Sequence, residues 1–455
     1  KTHEAVLSIL LKMEQASPVL LIVEDLQWID PTTLALLNLI VDQGPTARLL
    51  TVGTCRQDFT SPSTDRTHVT HMKLQRLPRN DIEDMVRQLT DGKMLPSEVT
   101  EQIVSKTDGV PLFVEELCKM IIGSGLLQEQ EDRYVLSGPL PPLAIPATLQ
   151  DSLMARLDSL TSVKEVIQVG ATFGRSFSFE LMLAITNFSE QELQTELGRL
   201  VEAELLFQQG IPPQAAYHFK HTLIQETAYQ SLLKSTRQQY HMRIARALET
   251  RFPDMAATQP EVLAHHYTAS GLSEQAVTYW LQAGKQAVHH SASDEAIAHF
   301  RKGLAVVSTL PDSPERTKAE LEMQISLGPV IMALKGPASQ DVEGIYARAR
   351  SLCREMGETE HVFPALWGIW RFHLNRGELE TARDVSDRLL YLAGKEKKAD
   401  FLLEAHMAHG TTLSYLGELE TAHNHFEAGL KIYDDHPDQS LADFYGGCDP
   451  GVYCR

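Results

Sequence analysis

Pro18-Val19-Leu20-Leu21-Ile22-Val23-Glu24-Asp25-Leu26-Gln27-Trp28-Ile29-Asp30 is the stretch on which the fold of this chain turns. Val19 to Val23 are five apolar residues in a row without alternation, the pattern of a parallel-sheet strand covered on both faces. Glu24 and Asp25 follow where such a strand ends, and ligands of open α/β sheets bind beyond the carboxyl ends of the strands. Two carboxylates delivered there can hold a magnesium ion through water and orient an attacking water toward a bound triphosphate. Pro31 then opens an amphipathic helix, with Leu34, Leu37 and Val41 at helical spacing. On these residues alone, a surface loop after a buried strand is the competing reading.

The neighbouring stretches fit the same half-domain. His3–Gln15 reads as a helix and Leu49–Thr54 as a second buried strand, ending in Thr54-Cys55-Arg56. Thr67–Leu74 is expected to be a third strand, with Val69, Met72 and Leu74 as its apolar positions. From Arg79 to about Gly125 the pattern turns helical, with Asn80 or Asp81 and then Ser97 as candidate caps. In Thr107-Asp108-Gly109-Val110-Pro111-Leu112-Phe113, Gly109 suits a left-handed helix end and Pro111 the first turn of the next helix. Gln128–Leu136 reads as a hairpin and the Pro-rich 139–146 as a linker. Helices at 149–160, 163–173, 179–185 and 189–205 precede a strand–turn–strand around Gly210–Pro213, the composition of a winged helix.

Beyond residue 251 the chain repeats itself. Gly377-Glu378-Leu379-Glu380-Thr381-Ala382 recurs as Gly417-Glu418-Leu419-Glu420-Thr421-Ala422, an offset of 40 positions, with looser copies at Gly271–Ala276 and Ser291–Ala296. A small residue turns the chain and an Ala five places later lets two helices approach, as in a helical-repeat superhelix with a concave binding surface. The histidine pairs 265/266, 289/290 and 406/409, lacking partner ligands in sequence, are expected to be repeat-surface residues.

The acid pair with Trp28 and Asp30-Pro31 closely resembles the Walker B segment of STAND-type signalling ATPases, in the bacterial branch that carries helical repeats. The resemblance extends to Gly109-x-Pro111 with Leu112-Phe113 and Glu115–Leu117, to His221, and to the Tyr445-Gly446-Gly447-Cys448-Asp449-Pro450-Gly451-Val452 segment of proteins that join class III adenylate/guanylate cyclase domains to this ATPase. It implies a multidomain fold: a partial α/β P-loop NTPase domain at 1–78, a helical lid and linker hairpin at 79–145, a winged helix with following helices at 146–250, and an all-α tetratricopeptide-like solenoid at 251–455. It also implies roles. Glu24 and Asp25 would serve magnesium and the attacking water, Arg56 would sense the terminal phosphate of ATP, Gly109 and Pro111 would contact adenine, and His221 would reach the diphosphate of ADP. Lys220 and Thr222 stand where the family has Met and Asp around that histidine. Without the resemblance, Arg56 reads as an exposed arginine pairing with Asp58, and His221 as a structural histidine at a strand–helix junction.

At 455 residues and a net charge of −19, the chain has room for several cores and little that would attract nucleic acid or an anionic membrane. The expected recognition helix carries Glu190, Glu192, Glu196, Glu202 and Glu204 against Arg199 alone, so no DNA binding is expected. No apolar run approaches the ~20 residues of a membrane span. The five cysteines, at 55, 118, 353, 448 and 454, are scattered without a CxxC pair, as in a reduced cytoplasmic protein. No GxxxxGK[ST] loop occurs, so the chain reads as an internal fragment that is expected to bind ATP weakly or not at all. Its partners are expected to be a protein on the concave surface and, with nucleotide, further copies of itself. The output is expected to be a cyclase, with a STAND-type transcription regulator or a non-enzymatic scaffold as alternatives.

Overall fold

The computed structural model describes residues 2–56, 59, 66–138, 148–159, 163–336, 339–356, 362–435 and 450–455. It is mostly helical with a few small sheets. The chain forms two compact units, one of residues 1–69, 255–268 and 272–455, the other of residues 70–254 and 269–271.

The first unit opens with α1 (Thr2–Ala16), β1 (Val19–Val23), α2 (Pro31–Gln43) and β2 (Leu49–Gly53). β1 and β2 pair in parallel, from Val19 opposite Leu49 to Val23 opposite Gly53. α2 begins where its sequence says it should: Pro31 occupies the first helical position and the Asp30 carboxylate accepts from Thr33 N at 2.8 Å. The strands depart from expectation in their cover. Burial alternates along both, and Leu20, Ile22, Leu50 and Val52 lie exposed on one face, because α1, packed on β1 and α2, covers only the other. The expected third strand is absent: residues 69–78 carry no strand, and Met72 and Leu74, whose alternation suggested one, are both 82% exposed with no partner edge.

The second unit continues with α3 (Arg79–Leu89), α4 (Ser97–Thr107) and α5 (Pro111–Gly123), which share one apolar core. α3 and α4 start earlier than the polar residues suggested, with Pro78 and Pro96 at the cap positions and no side-chain cap. β3 (Leu127–Glu129) and β4 (Tyr134–Leu136) form the hairpin, and α6 spans Leu149–Ser159. Then come α7 (Lys164–Phe173), β5 (Ser176–Ser178), α8 (Phe179–Ile185), α9 (Glu190–Glu202), β6 (Leu206–Gln209) and β7 (Ala216–Phe219), the three strands making an antiparallel sheet in the order β5-β7-β6. α9 is closed by the expected capping box, in which Ser189 and Glu192 satisfy each other's backbone amides. α10 (Thr222–Gln230) and α11 (Lys234–Arg251) complete the unit. The linker at 139–146 lies outside the described residues.

α12 (Pro253–Thr258) and α13 (Pro260–Ser270) lead into the repeats of the first unit. These are α14 (Ser273–His289), α15 (Ser293–Val307), α16 (Pro314–Lys335), α17 (Gln340–Met356), α18 (Val362–Asn375), α19 (Leu379–Glu396), α20 (Ala399–Leu416) and α21 (Leu419–Asp435), followed by α22 (Pro450–Cys454). Each packs on the next, and α14, α16, α18 and α20 also touch in series, which makes them one layer of the stack. The repeated hexapeptide does what its residue types require. Gly377 and Gly417 sit at φ 74 and 86, where a side chain would be strained, and Ala276, Ala296, Ala382 and Ala422 are all buried between helices. The Tyr-Gly-Gly segment up to Asp449 lies outside the described residues. No helix among them is long and apolar enough to cross a membrane.

Candidate functional site

The expected site residues of the first unit converge at the carboxyl ends of β1 and β2. Beyond β1 the backbone turns at once: Asp25 takes a left-handed conformation (φ 57, ψ 49), and Leu26–Trp28 form one tight helical turn. The turn is fastened to the end of β2, since Asp25 N donates to Thr54 Oγ1 at 3.0 Å and Leu26 N to Thr54 O at 2.8 Å. Leu26 is buried beneath it. A non-glycine residue in this backbone region stores strain and is held there only by such surroundings.

One side chain that the sequence did not single out joins the parts. The Gln27 amide donates from Nε2 to Asp25 Oδ1 at 2.9 Å and accepts at Oε1 from Arg56 N at 3.1 Å. It therefore orients the acid and anchors the segment that carries the cation. The Arg56 guanidinium carbon lies 5.9 Å from the centre of the Trp28 ring, itself 61% exposed. Glu24 is exposed beside this assembly and Asp25 half-buried. Asp58, the alternative partner of Arg56, lies outside the described residues. The signal for Gln27 was only its place two residues after Asp25, where an amide spans a tight turn.

The remaining expected residues lie in the second unit. Gly109 takes φ +70, its carbonyl accepts from Leu77 N at 2.8 Å, and an added Cβ would stand 2.4 Å from Leu77 O. Only glycine meets both conditions, and Pro111 follows in the first turn of α5. On the adjoining turn of α5, Glu115 is half-buried and Glu116 buried, and both are paired. Lys220, the residue in place of the family's Met, donates to Glu115 at 3.1 Å and Glu204 at 3.0 Å, and Lys119 joins the same two carboxylates. Hydrogen bonds from the two lysines hold the Glu204 carboxyl down at about 2. Glu116, 1% exposed, is paired with Arg156, which also donates to the carbonyl of Ala203. α5 is thereby fixed to α6 and to the end of α9.

His221 stands at the cap position of α10 without capping it. Its Nε2 is buried and has no hydrogen-bond partner among the described residues. Burial, and next the Lys220 ammonium, push its pKa below the ordinary histidine value, so the ring is held neutral. Thr222, in place of the family's Asp, accepts from Arg175 at 2.8 Å. A buried imidazole nitrogen without a partner is uncommon and suits a ligand atom or a bound water.

In the repeats the sequence paired His406 with His409 but brought in neither His425 nor Glu404. His406 and His409 of α20 are met by His425 of α21, with Nδ1 of His406 and His425 3.0 Å apart and the His409 and His425 rings 4.7 Å apart between centres. His409 and His266 are buried, against the expectation of surface residues, while His289 and His290 are exposed. Glu404 is fully buried and accepts from Trp367 Nε1 at 2.9 Å. Among the described residues no group of three or more His, Cys, Asp or Glu could hold a metal ion, and Cys55, Cys118, Cys353 and Cys454 are free thiols.

No family model matches the chain. An uncharacterised protein of Rhizobium meliloti (strain 1021) is 28% identical over 466 residues, covering 99% of this chain and 44% of that protein, so the chain spans less than half the length of this relative. Among solved structures, the chain is similar to a Signal Transduction ATPase with Numerous Domains protein with a tetratricopeptide repeat sensor from Pyrococcus horikoshii, at 10% identity and a TM-score of 0.40, covering 96% of this chain and 65% of that one. It is also similar to BtubC from P. vanneervenii (13%, TM-score 0.30, 63% and 92% of the two chains) and to the apo form of RapI (14%, TM-score 0.31, 64% and 68%).

Proposed function

We propose that these residues are the regulatory ATP-handling and repeat region of a cytoplasmic bacterial signalling protein linked to class III cyclase domains, with nucleotide state gating an output domain. The observation that supports this most is the Gln27 amide, which joins Asp25 to the Arg56 segment beside Glu24 at the ends of two parallel strands. That position, and that mixture of acids and a cation, suit the terminal phosphate of ATP. Asp25, held by Gln27, would orient the attacking water, and Arg56 would meet the developing charge on the terminal phosphate. Two carboxylates without further protein ligands suit magnesium, which completes its shell with waters and phosphate oxygens. When bound, the ion supplies neutralisation of the phosphate charge.

In the second unit, Gly109 and Pro111 would approach the adenine, and His221 Nε2 would donate to or accept from the diphosphate of ADP. The element order α7-β5-α8-α9-β6-β7 supports the winged-helix reading. DNA is not the expected partner, because acids dominate α9 and Arg199 is engaged with Glu196 at 2.9 Å. A protein on the concave layer of the repeats, and nucleotide-dependent self-association, complete the proposal.

The test is ATP turnover and nucleotide binding by the whole protein of which these residues are part. Asp25→Asn is expected to abolish turnover and leave binding largely intact. Loss only in Glu24→Gln would exchange the two roles. If neither substitution changes turnover, the ATPase reading is wrong and a scaffold with a degenerate site takes its place.

A further inference from the structure

Four charges close a ring between α5 and the far end of the second unit's chain. Lys119 of α5 pairs with Glu115, one turn earlier, at 2.7 Å and with Glu204, which follows α9. Lys220, which follows β7, pairs with the same two carboxylates at 3.1 and 3.0 Å. Each ammonium touches both acids, so the signs alternate around the ring. The side chains of Glu115, Lys119 and Lys220 are 21%, 27% and 19% exposed. Salt screens such a ring less than a surface pair, yet still reaches it.

Glu204 carries a strain that the ring explains. It is the residue after the Ala203 cap of α9 and takes a left-handed backbone with φ 54. Glu204 N returns to Val201 O at 2.9 Å and Leu205 N to Leu200 O at 3.0 Å, the bonds of a helix end that glycine usually closes. A glutamate there is held in place by its surroundings at a cost in strain. In return its carboxylate reaches both lysines. Hydrogen bonds from Lys119 and Lys220 hold that carboxyl at about 2, so it is charged at any ordinary pH.

α5 packs on α3, α4 and α6, and it shares its apolar core with residues between Leu77 and Leu149. To the junction between β7 and α10 it is joined by the ring. Next to Lys220 in that junction stands His221, with buried Nε2, and Lys220, Glu115, Glu116 and Lys119 are the charges that act on its imidazole. We propose that the ring is a salt-sensitive latch: closed, it docks α5 on the β7–α10 junction and covers His221; open, it frees both and lets the Glu204 backbone relax. Half-exposed ion pairs suit this task, because they part at modest cost where an apolar interface would not. The latch needs no nucleotide, so it stands or falls apart from the nucleotide reading.

Hydrogen exchange on residues 1–455 at neutral pH, in about 50 mM and about 500 mM salt, tests it. Amides in the first turns of α10 and the last turns of α5 are expected to exchange at least about threefold faster at the higher salt, with α3 and α4 unchanged. The C2 proton of His221 is expected to exchange faster in step with them. Lys220→Met is expected to produce the fast exchange already at low salt and to remove its salt dependence. Glu204→Gly separates a latch from a helix end, since glycine suits the backbone there and takes away the carboxylate. In that variant α9 is expected to keep its protection while α5 and α10 lose theirs. Exchange in the parent that ignores salt, or that rises equally in α3 and α4, overturns the proposal. So does protection of α5 and α10 that survives Glu204→Gly.

Discussion

His221 carries the sharpest consequence of any single residue. Its Nε2 is buried and unpartnered among the described residues, while its backbone leads into α10 directly after Lys220, the residue that follows β7. If that nitrogen meets the diphosphate of ADP, the bond is charge-assisted and contributes about 1.5–3 kcal/mol. In the whole protein, His221→Ala is then expected to weaken ADP binding by roughly ten- to a hundredfold and to leave the second unit open to protease in the presence of ADP. Equal protection of parent and variant by ADP would reduce His221 to a buried structural ring. Gln27 teaches a complementary lesson. It has no chemistry of its own, and its function is visible only once the two strand ends stand side by side.

At the scale of elements, the parts legible in the sequence were those set by local chemistry. The apolar runs gave β1 and β2, Asp30-Pro31 gave the start of α2, Ser189 with Glu192 gave α9, and the repeated small residue with Ala five places on gave the helix pairs. What stayed hidden depends on pairing across long stretches of chain: Lys220 with Glu115, Arg156 with Glu116, and His425 with His406. β5 was missed because Phe177 is its only large apolar residue, and the false strand at 67–74 rested on Val69, Met72 and Leu74, of which the last two are largely exposed. The pairing of α18 with α20 has a pH signature. The Glu404 carboxyl moves from 4.5 to about 8 through burial, so the unfolded chain gives up its proton first. Stability from this group is complete below 4.5 and is lost as pH rises toward about 8, a change on the order of a few kcal/mol. Glu404→Gln keeps an acceptor for Trp367 and is expected to raise the melting temperature at pH 9 while leaving it unchanged at pH 4. His406, His409 and His425 act at the other end of the scale. Burial first, and for His406 and His409 the neighbouring imidazole charge next, lowers each below 6.5, so their stability is present above 6.5 and is lost as pH falls. His425→Gln is expected to flatten the acid limb of the repeat melting curve and leave the alkaline limb alone. Denaturation midpoints across pH decide both.

At the scale of the first unit as a whole, one hydrogen bond ties the acid-tipped strand region to the repeats. Thr32 N, in the first turn of α2, donates to Glu295 Oε1 of α15 at 3.0 Å, and α2 packs on α15 around it. Glu295 thus satisfies a helix N-terminal amide that the Asp30 cap, engaged with Thr33 N, leaves open, and its side chain also meets that of Asp30. Glu295→Ala is expected to speed hydrogen exchange at the start of α2 by about tenfold, close to the ~1.5–3 kcal/mol of a bond to a charged group. Glu295→Gln, which keeps an acceptor and loses the charge, is expected to recover part of the protection. Unchanged exchange in both variants would show that packing alone holds α2 against the repeats.

The same contact has a consequence for how the chain is made. Thr32 and Glu295 are 263 residues apart, so the first unit has to wait for its own later half. At about 5–20 residues per second, the ribosome needs on the order of ten to fifty seconds between releasing the first 69 residues and releasing α15. Throughout that interval α2 has no repeat array to dock on, and Thr32 N lacks the carboxylate that meets it in the finished unit. The start of α2 is therefore the last part of the opening half-domain to be fastened, and it stays open to exchange and to proteolysis until α15 has been made.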